Sequence, residues 1–290
     1  MDNEKIYDLA IIGCGPAGLS AAINAKIRNK DLIVFGGDLC SPKLAHAPTV
    51  DNYLGFYDVK GEELRDKFVN HAQTMGVPIE KARVDNISPG DGVFTLTVRN
   101  DHCQAKTVIV AVGTPNTKFL PGEEKFIGLG VSYCATCDGP LFRDKKVALV
   151  AYTDEALEEA NFLSEICQQV YFLPLFQGDL TKLNPKLEVI TGNPKAIIGD
   201  QTVSGIELDI QKTLEVNGVF IIRPTVPPQQ LIPGLLLEGN DIKVSRTMET
   251  NIPGLYAAGD CTGKPWQLAK SVGEGQTAAL QSVKYLDNLH

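Results

Sequence analysis

The sequence predicts an α/β fold of two domains. An apolar run at the N-terminus ends in a glycine-rich turn and opens into a helix. A second strand–helix–strand unit of similar design begins at residue 146, and the remaining apolar runs are short and punctuated by Gly and Pro. A chain of 290 residues can bury two medium cores. In chain order, Ile6 to Ile12 reads as a strand, Leu19 to Ile27 carries helical apolar spacing, and Leu32 to Phe35 follows at the distance of a βαβ unit. Val93 to Val98 alternates apolar residues with Thr, which predicts an antiparallel strand, and Thr107 to Val112 reads as a buried strand leading into Gly113. Lys146 to Ala151, a helix reaching about Cys167, and Val170 to Leu173 make the second βαβ unit. Short strands with glycine turns occupy Leu187 to Ile222, a Pro-rich connection covers Pro224 to Pro233, Leu255 to Ala258 is a buried strand, and a helix from Gly275 to Leu286 closes the chain.

Composition excludes several classes of function. Hydrophobic residues make up 43% and charged residues 21%, the values of a packed globular chain. A formal net charge of −8 argues against a nucleic-acid partner. Met1 to Lys5 is polar and no apolar run approaches the roughly 18 residues of a membrane span, so the expectation is a cytoplasmic protein with no membrane partner. Seven cysteines, scattered except for one close pair, do not form a secreted disulfide framework.

Gly13, Gly15 and Gly18 form a G-x-G-x-x-G turn between strand and helix, with Pro16 and Ala17 inside it. Glycines there permit a tight turn and let backbone amides approach a pyrophosphate at the positive end of the helix. An ordinary turn is the competing explanation. No acid ends the second strand: Phe35 and Gly36 stand where a ribose-binding carboxylate is expected, and Asp38 is the nearest candidate.

Cys134-Ala135-Thr136-Cys137, followed by Asp138, is the sharpest local signal. Structural zinc requires two further ligands, and the chain has no second C-x-x-C. Buried thiols acting as small hydrophobes do not need this spacing. A redox disulfide does, because two intervening residues let one helical turn bring both sulfurs into bonding distance. Asp138 is placed to shuttle a proton, or is a surface acid.

With these motifs the chain resembles the low-molecular-weight thioredoxin reductases over nearly its whole length. Thr49 to Gly55, Pro121 through Gly139, Thr250 to Asp260, Gln267 to Ala269 and Gly273 to Gly275 match that family's blocks. The resemblance implies two Rossmann-like, three-layer β-β-α domains of the FAD-dependent pyridine nucleotide-disulfide oxidoreductase type: a discontinuous FAD domain over 1–115 and 243–290, and a disulfide-bearing domain over 116–242. It implies FAD contacts from the first glycine turn, from Phe35, Gly36, Asn52 and Gly113, and from Gly259 and Asp260 near the ribityl or phosphate region. Gln267, Leu268 and Ala269 would lie against the flavin ring. Cys137 would face the flavin and Cys134 would attack the disulfide of a protein substrate. The other five cysteines, Cys14, Cys40, Cys103, Cys167 and Cys261, are expected to be packing residues. Lys43 either steadies charge on reduced flavin or faces solvent, and Trp266 either stacks beside the flavin or packs. A homodimer follows from the same resemblance, and no metal is expected.

The resemblance breaks at one ligand. NADPH-using members carry a second glycine turn and a His-Arg-Arg cluster in the middle domain. Here the turn reads Ala151-Tyr152-Thr153, and the next strand ends in Leu173-Pro174-Leu175-Phe176-Gln177 with no Arg or Lys. Side chains in that turn obstruct a pyrophosphate. The second domain is thus degenerate, and the chain is most similar to the pyridine-nucleotide-independent, ferredoxin-dependent flavin thioredoxin reductases. The partners implied are reduced ferredoxin, or a flavodoxin in its place, and thioredoxin. Arg143, Lys145, Lys146, Lys264 and Lys270 are candidates for docking an acidic carrier, against the alternative of solvated faces. Three other readings stay open: an NADPH-dependent thioredoxin reductase, a disulfide reductase with another donor, and a non-catalytic flavin redox sensor.

Overall fold

A computed structural model of the chain describes residues 5–37, 40–98, 101–114, 119–223 and 227–289. It divides into two compact units, Met1–Pro115 with Pro227–His290, and Asn116–Val226.

The first unit opens with β1 (Ile6–Ile12), α1 (Pro16–Ile27) and β2 (Leu32–Gly36), the βαβ unit expected. Next come α2 (Pro42–Ala45), α3 (Gly61–Thr74), β3 (Ile79–Lys81), β4 (Val84–Pro89), β5 (Phe94–Val98) and β6 (Asp101–Val110). The sheet runs β3-β2-β1-β6-β5-β4. Its β3, β2, β1 and β6 strands are parallel, which explains the apolar runs Leu9–Ile12 of β1 and Leu32–Phe35 of β2, buried on both faces. β5 pairs antiparallel with β4 and β6, and its Thr residues lie on the less buried face, as the alternation predicted. β6 begins six residues before the expected Thr107, because Asp101–Ala105 pairs with β5 and carries half-polar alternation rather than an apolar run.

The second unit contains β7 (Val131–Ser132), α4 (Ala135–Asp138), β8 (Lys146–Ala151), α5 (Ala156–Ile166), β9 (Gln169–Pro174), β10 (Glu188–Val189), β11 (Pro194–Gly199), β12 (Val203–Leu208), β13 (Thr213–Glu215) and β14 (Gly218–Ile222). Five of its strands form an all-parallel sheet, β10-β9-β8-β14-β7, and β11-β12-β13 form an antiparallel meander. Ala156, Ala160 and Leu163 of α5 pack on Val147, Leu149 and Phe172 of that sheet.

After Val226 the chain returns to the first unit through α6 (Pro228–Leu231), β15 (Leu237–Glu238), β16 (Asp241–Ile242), β17 (Leu255–Ala257) and α7 (Leu268–Asp287). The return thus precedes the expected residue 243. Leu231 and Ile232 are fully buried and α6 packs on β4, while Asn251 bonds Leu236 N and Gly234 O. β17 lies parallel to β6, over Val108–Val110. α7 starts at Leu268, seven residues before the expected Gly275, and runs through both Gly273 and Gly275; tertiary contacts of Lys270 and Glu274 override the weak helix propensity of glycine. α1 is sandwiched between the sheet and α7, which is why it is built from Ala17, Gly18, Ala21, Ala22 and Ala25 on its buried sides. Among the described residues, no helix is long and apolar enough to cross a membrane and no group of His, Cys, Asp and Glu could hold a metal ion.

Candidate active site

The three glycines of the first turn do different work. Gly13 has φ +114°, and a Cβ there would lie 2.2 Å from Ala111 O; one on Gly18 would lie 1.8 Å from Gly13 O. The chain's own packing therefore requires both. A Cβ on Gly15 would meet nothing within 4 Å, so that position opens outward, as a cradle for a ligand must. Pro16 occupies the first turn of α1, no acid stands there, and no side chain caps the helix, so its N-terminal amides suit a diphosphate. Phe35 buries its ring in the core and accepts from Gly13 N at 2.7 Å. Its part is to hold the turn. Asp38 lies outside the described residues. Gly113, with φ +73° and open space at its Cβ position, follows β6 on the same sheet.

The expectation that Cys14 and Cys40 only pack is wrong. They form a disulfide with 5.1 Å between Cα atoms. No local sequence signal marks the pair; it is set by the register, in which β1 and β2 are adjacent and parallel with Ile12 opposite Phe35. Gly36 is glycine because a Cβ there would lie 2.3 Å from Cys14 Sγ.

The other wall of this site comes from the C-terminal segment. Asp260 accepts from Lys43 Nζ at 2.7 Å and from Ser271 Oγ at 3.3 Å. Gln267, the N-cap of α7, accepts from Asn52 Nδ2 at 2.9 Å, tying the loop after α2 to Leu268 and Ala269 in the first turn of α7. Structure thus joins Lys43 to Asp260 and Asn52 to Gln267. Lys43 faces solvent only in part of its role: it is the ion partner of Asp260. Trp266 is half-exposed beside Lys43, at 48%, with the ammonium groups of Lys43 and Lys264 at 5.3 and 5.4 Å from its ring. Lys270 is not a docking cation: it donates to Gly259 O, Thr262 Oγ1 and Gly263 O and pairs with Glu274, whose carboxylate accepts from Gly259 N. It shapes the Gly259 turn from inside.

In the second unit, Cys134 and Cys137 form a disulfide across the single turn of α4, with Cα atoms 5.3 Å apart. Cys137 N donates to Cys134 Sγ at 3.2 Å. Cys134 is buried and Cys137 exposed. Asp138 accepts from Ser132 Oγ at 2.7 Å, and the same hydroxyl accepts from Cys134 N at 3.2 Å, so one serine links the acid to the cysteine backbone. Glu159 of α5, which sequence reasoning did not single out for this site, accepts from Ala135 N at 2.9 Å and fixes the start of α4.

The matches to known proteins agree with this geometry. Residues 7–275 match the model of the pyridine nucleotide-disulphide oxidoreductases. The chain belongs to that family. Thioredoxin reductases of Listeria monocytogenes and Aquifex aeolicus are 30% and 35% identical to it, over 99% and 98% of this chain and 96% and 94% of theirs. A ferredoxin-flavin thioredoxin reductase from Clostridium acetobutylicum is 49% identical, with a TM-score of 0.92, over 97% of this chain and 98% of that one. The chain is accordingly an FAD-binding flavoprotein oxidoreductase with a redox disulfide, and the Gly13–Gly18 cradle of the first unit fits the diphosphate of that cofactor.

Within this pyridine nucleotide-disulphide oxidoreductase, the second unit lacks the corresponding cradle. β8 ends at Ala151 and the turn to α5 carries side chains at Tyr152, Thr153, Asp154 and Glu155. Tyr152 N donates to Ile222 O at 2.8 Å, and the Tyr152 ring lies 5.0 Å from the Arg223 guanidinium.

Proposed function

We propose that this protein reduces thioredoxin with electrons from reduced ferredoxin, passed through FAD and the Cys134–Cys137 pair. The observation that carries the choice of donor is the β8–α5 turn. The side chains of Tyr152 and Thr153 stand where a pyrophosphate needs bare backbone, and the residues after β9, Leu175-Phe176-Gln177, supply no cation for a 2′-phosphate. Both changes remove the same ligand while the disulfide, Asp138 and the first cradle remain. The likeness to a ferredoxin-flavin thioredoxin reductase supports the same reading.

When bound, FAD accepts electrons singly and delivers them in pairs. The chain's residues carry out the exchange. Reduced Cys134 attacks one sulfur of the thioredoxin disulfide, releasing the other as a thiolate; Cys137 then attacks Cys134 Sγ, regenerating the intramolecular bond and freeing the second thioredoxin thiol. Two electrons leave the pair and two protons complete the product dithiol. Asp138, which accepts from Ser132 Oγ beside the pair, is the acid that supplies protons in this scheme. Cys134 is covered in this structure, so the exchange proceeds from a conformer that exposes it.

The test is anaerobic reduction of the purified holoprotein, following flavin absorbance after NADPH, NADH and enzymatically reduced ferredoxin in turn. Bleaching by ferredoxin alone, followed by reduction of added thioredoxin, is expected. Rapid bleaching by NADPH would return the protein to the nucleotide-dependent enzymes.

A further inference from the structure

Cys14 follows the end of β1 by two residues and Cys40 follows the end of β2 by four, beyond the C-terminal edge of two adjacent parallel strands, the side on which a dinucleotide is gripped in this type of sheet. Cys14 stands between Gly13 and Gly15, inside the cradle itself. Cys40 immediately precedes Ser41 and the short helix α2, which carries Lys43. The bond therefore ties the cradle covalently to the segment that leads to the partner of Asp260. The fold makes room for it: Gly36 has no side chain because the Cys14 sulfur occupies that space, and both sulfurs sit in the core cluster at 4% and 8% exposure.

We propose that Cys14–Cys40 is a second redox site, which couples flavin affinity to thiol redox state. With the bond formed, the cradle is held to Cys40 and α2 in the arrangement that accepts the FAD diphosphate; with the bond broken, that arrangement has to be re-ordered on binding, and the ordering opposes affinity. The reductant is a dithiol. It transfers two electrons and two protons to the two sulfurs and becomes a disulfide itself. Because both sulfurs are covered, exchange requires local opening of the very segment that bound FAD restrains. Linkage then fixes the converse: FAD makes this disulfide harder to reduce by the same factor by which reduction weakens FAD.

The experiment uses the full chain with Cys134→Ser and Cys137→Ser, so that Cys14–Cys40 is the only exchangeable pair, stripped of flavin and titrated with FAD by flavin fluorescence. The thiol state is read in parallel by alkylation and mass spectrometry. After reduction with dithiothreitol the Kd for FAD is expected to rise about tenfold, and saturating FAD is expected to raise the dithiothreitol needed for half-reduction by a similar factor. Cys40→Ser on the same background should bind FAD as the reduced protein does, with or without dithiothreitol. If that variant does not fold, the oxidised and reduced forms of its parent still decide the matter. Equal FAD affinity in the two redox states, or a half-reduction point that FAD does not move, would overturn the proposal. No readout needs ferredoxin or thioredoxin, so the result is independent of the function proposed above.

Discussion

Arg223 Nη2 donates to Glu123 Oε2 at 2.8 Å while Nη1 bonds Oε1, and the two side chains are 3% and 0% exposed. Glu123 also accepts from Leu120 N and Tyr133 OH. Desolvation alone would lower the guanidinium pKa, but bonding to Glu123 outweighs it and holds the group further into its charged range. The pair connects the segment before β7 to the end of β14 in the second unit. Arg223→Met would leave the carboxylate buried without its cation, at a cost of about 3–5 kcal/mol. Adding Glu123→Gln should recover most of that loss, since a neutral amide can still bond Tyr133 and Leu120. Denaturant unfolding of the two variants measures this; a single variant within about 1 kcal/mol of the parent would show that the pair contributes little.

Gly15 and Gly18 separate folding from binding. Gly15 has φ −77°, a value any residue adopts, and open space beside it. Gly15→Ala should leave the melting temperature of the apoprotein within about 2 °C of the parent, while its methyl group intrudes where backbone must approach the diphosphate. FAD affinity should fall at least tenfold, in order of magnitude. Gly18→Ala forces a methyl into Gly13 O and should destabilise the apoprotein itself. Equal effects of both substitutions on apoprotein stability would contradict this division.

Sequence patterns exposed most of the architecture because parallel strands buried on both faces leave unbroken apolar runs, as in Leu32–Phe35 of β2 and Val147–Ala151 of β8. The boundaries that moved are those where tertiary contacts override local signals: the polar first half of β6 is a strand because β5 pairs with it, and α7 passes through Gly273 and Gly275 because Lys270 and Glu274 anchor its first turns. The Cys134–Cys137 pair was legible because its two thiols lie three residues apart. Cys14–Cys40 was not, since the pair is made by strand register across 26 residues. Lys270 illustrates the opposite error: its charge suggested a surface role, and its hydrogen bonds place it inside a turn.

The two active cysteines should be distinguishable by trapping. If Cys134 attacks the protein disulfide, Cys137→Ser leaves a mixed disulfide with thioredoxin that has no resolving thiol, and the covalent complex accumulates. Cys134→Ser should trap much less, although Cys137 is the more exposed sulfur here. Non-reducing electrophoresis after mixing each reduced variant with oxidised thioredoxin gives the answer. Dominant trapping by Cys134→Ser would exchange the two roles.

The three remaining thiols report on burial through their pH dependence. Burial pushes Cys103 and Cys167 up to about 11 and Cys261 to about 12. The attacking species is the thiolate, and a raised pKa means that it is scarce below that value: roughly 0.1% of a thiol with pKa 11 is ionised at pH 8, against about a quarter for an ordinary cysteine. Cys167 is the informative one, because it is only partly covered, so that charge rather than access limits its reaction. Its alkylation by iodoacetamide in the folded protein should be at least a hundredfold slower than that of a free cysteine at pH 8, in order of magnitude, and should rise about tenfold per pH unit up to pH 10 without levelling off. Peptide mass spectrometry after timed labelling separates Cys167 from Cys103 and Cys261. A rate that levels off near pH 9 would mean that the thiol ionises as it does in water and that the helix end at Ile166 does not shield it.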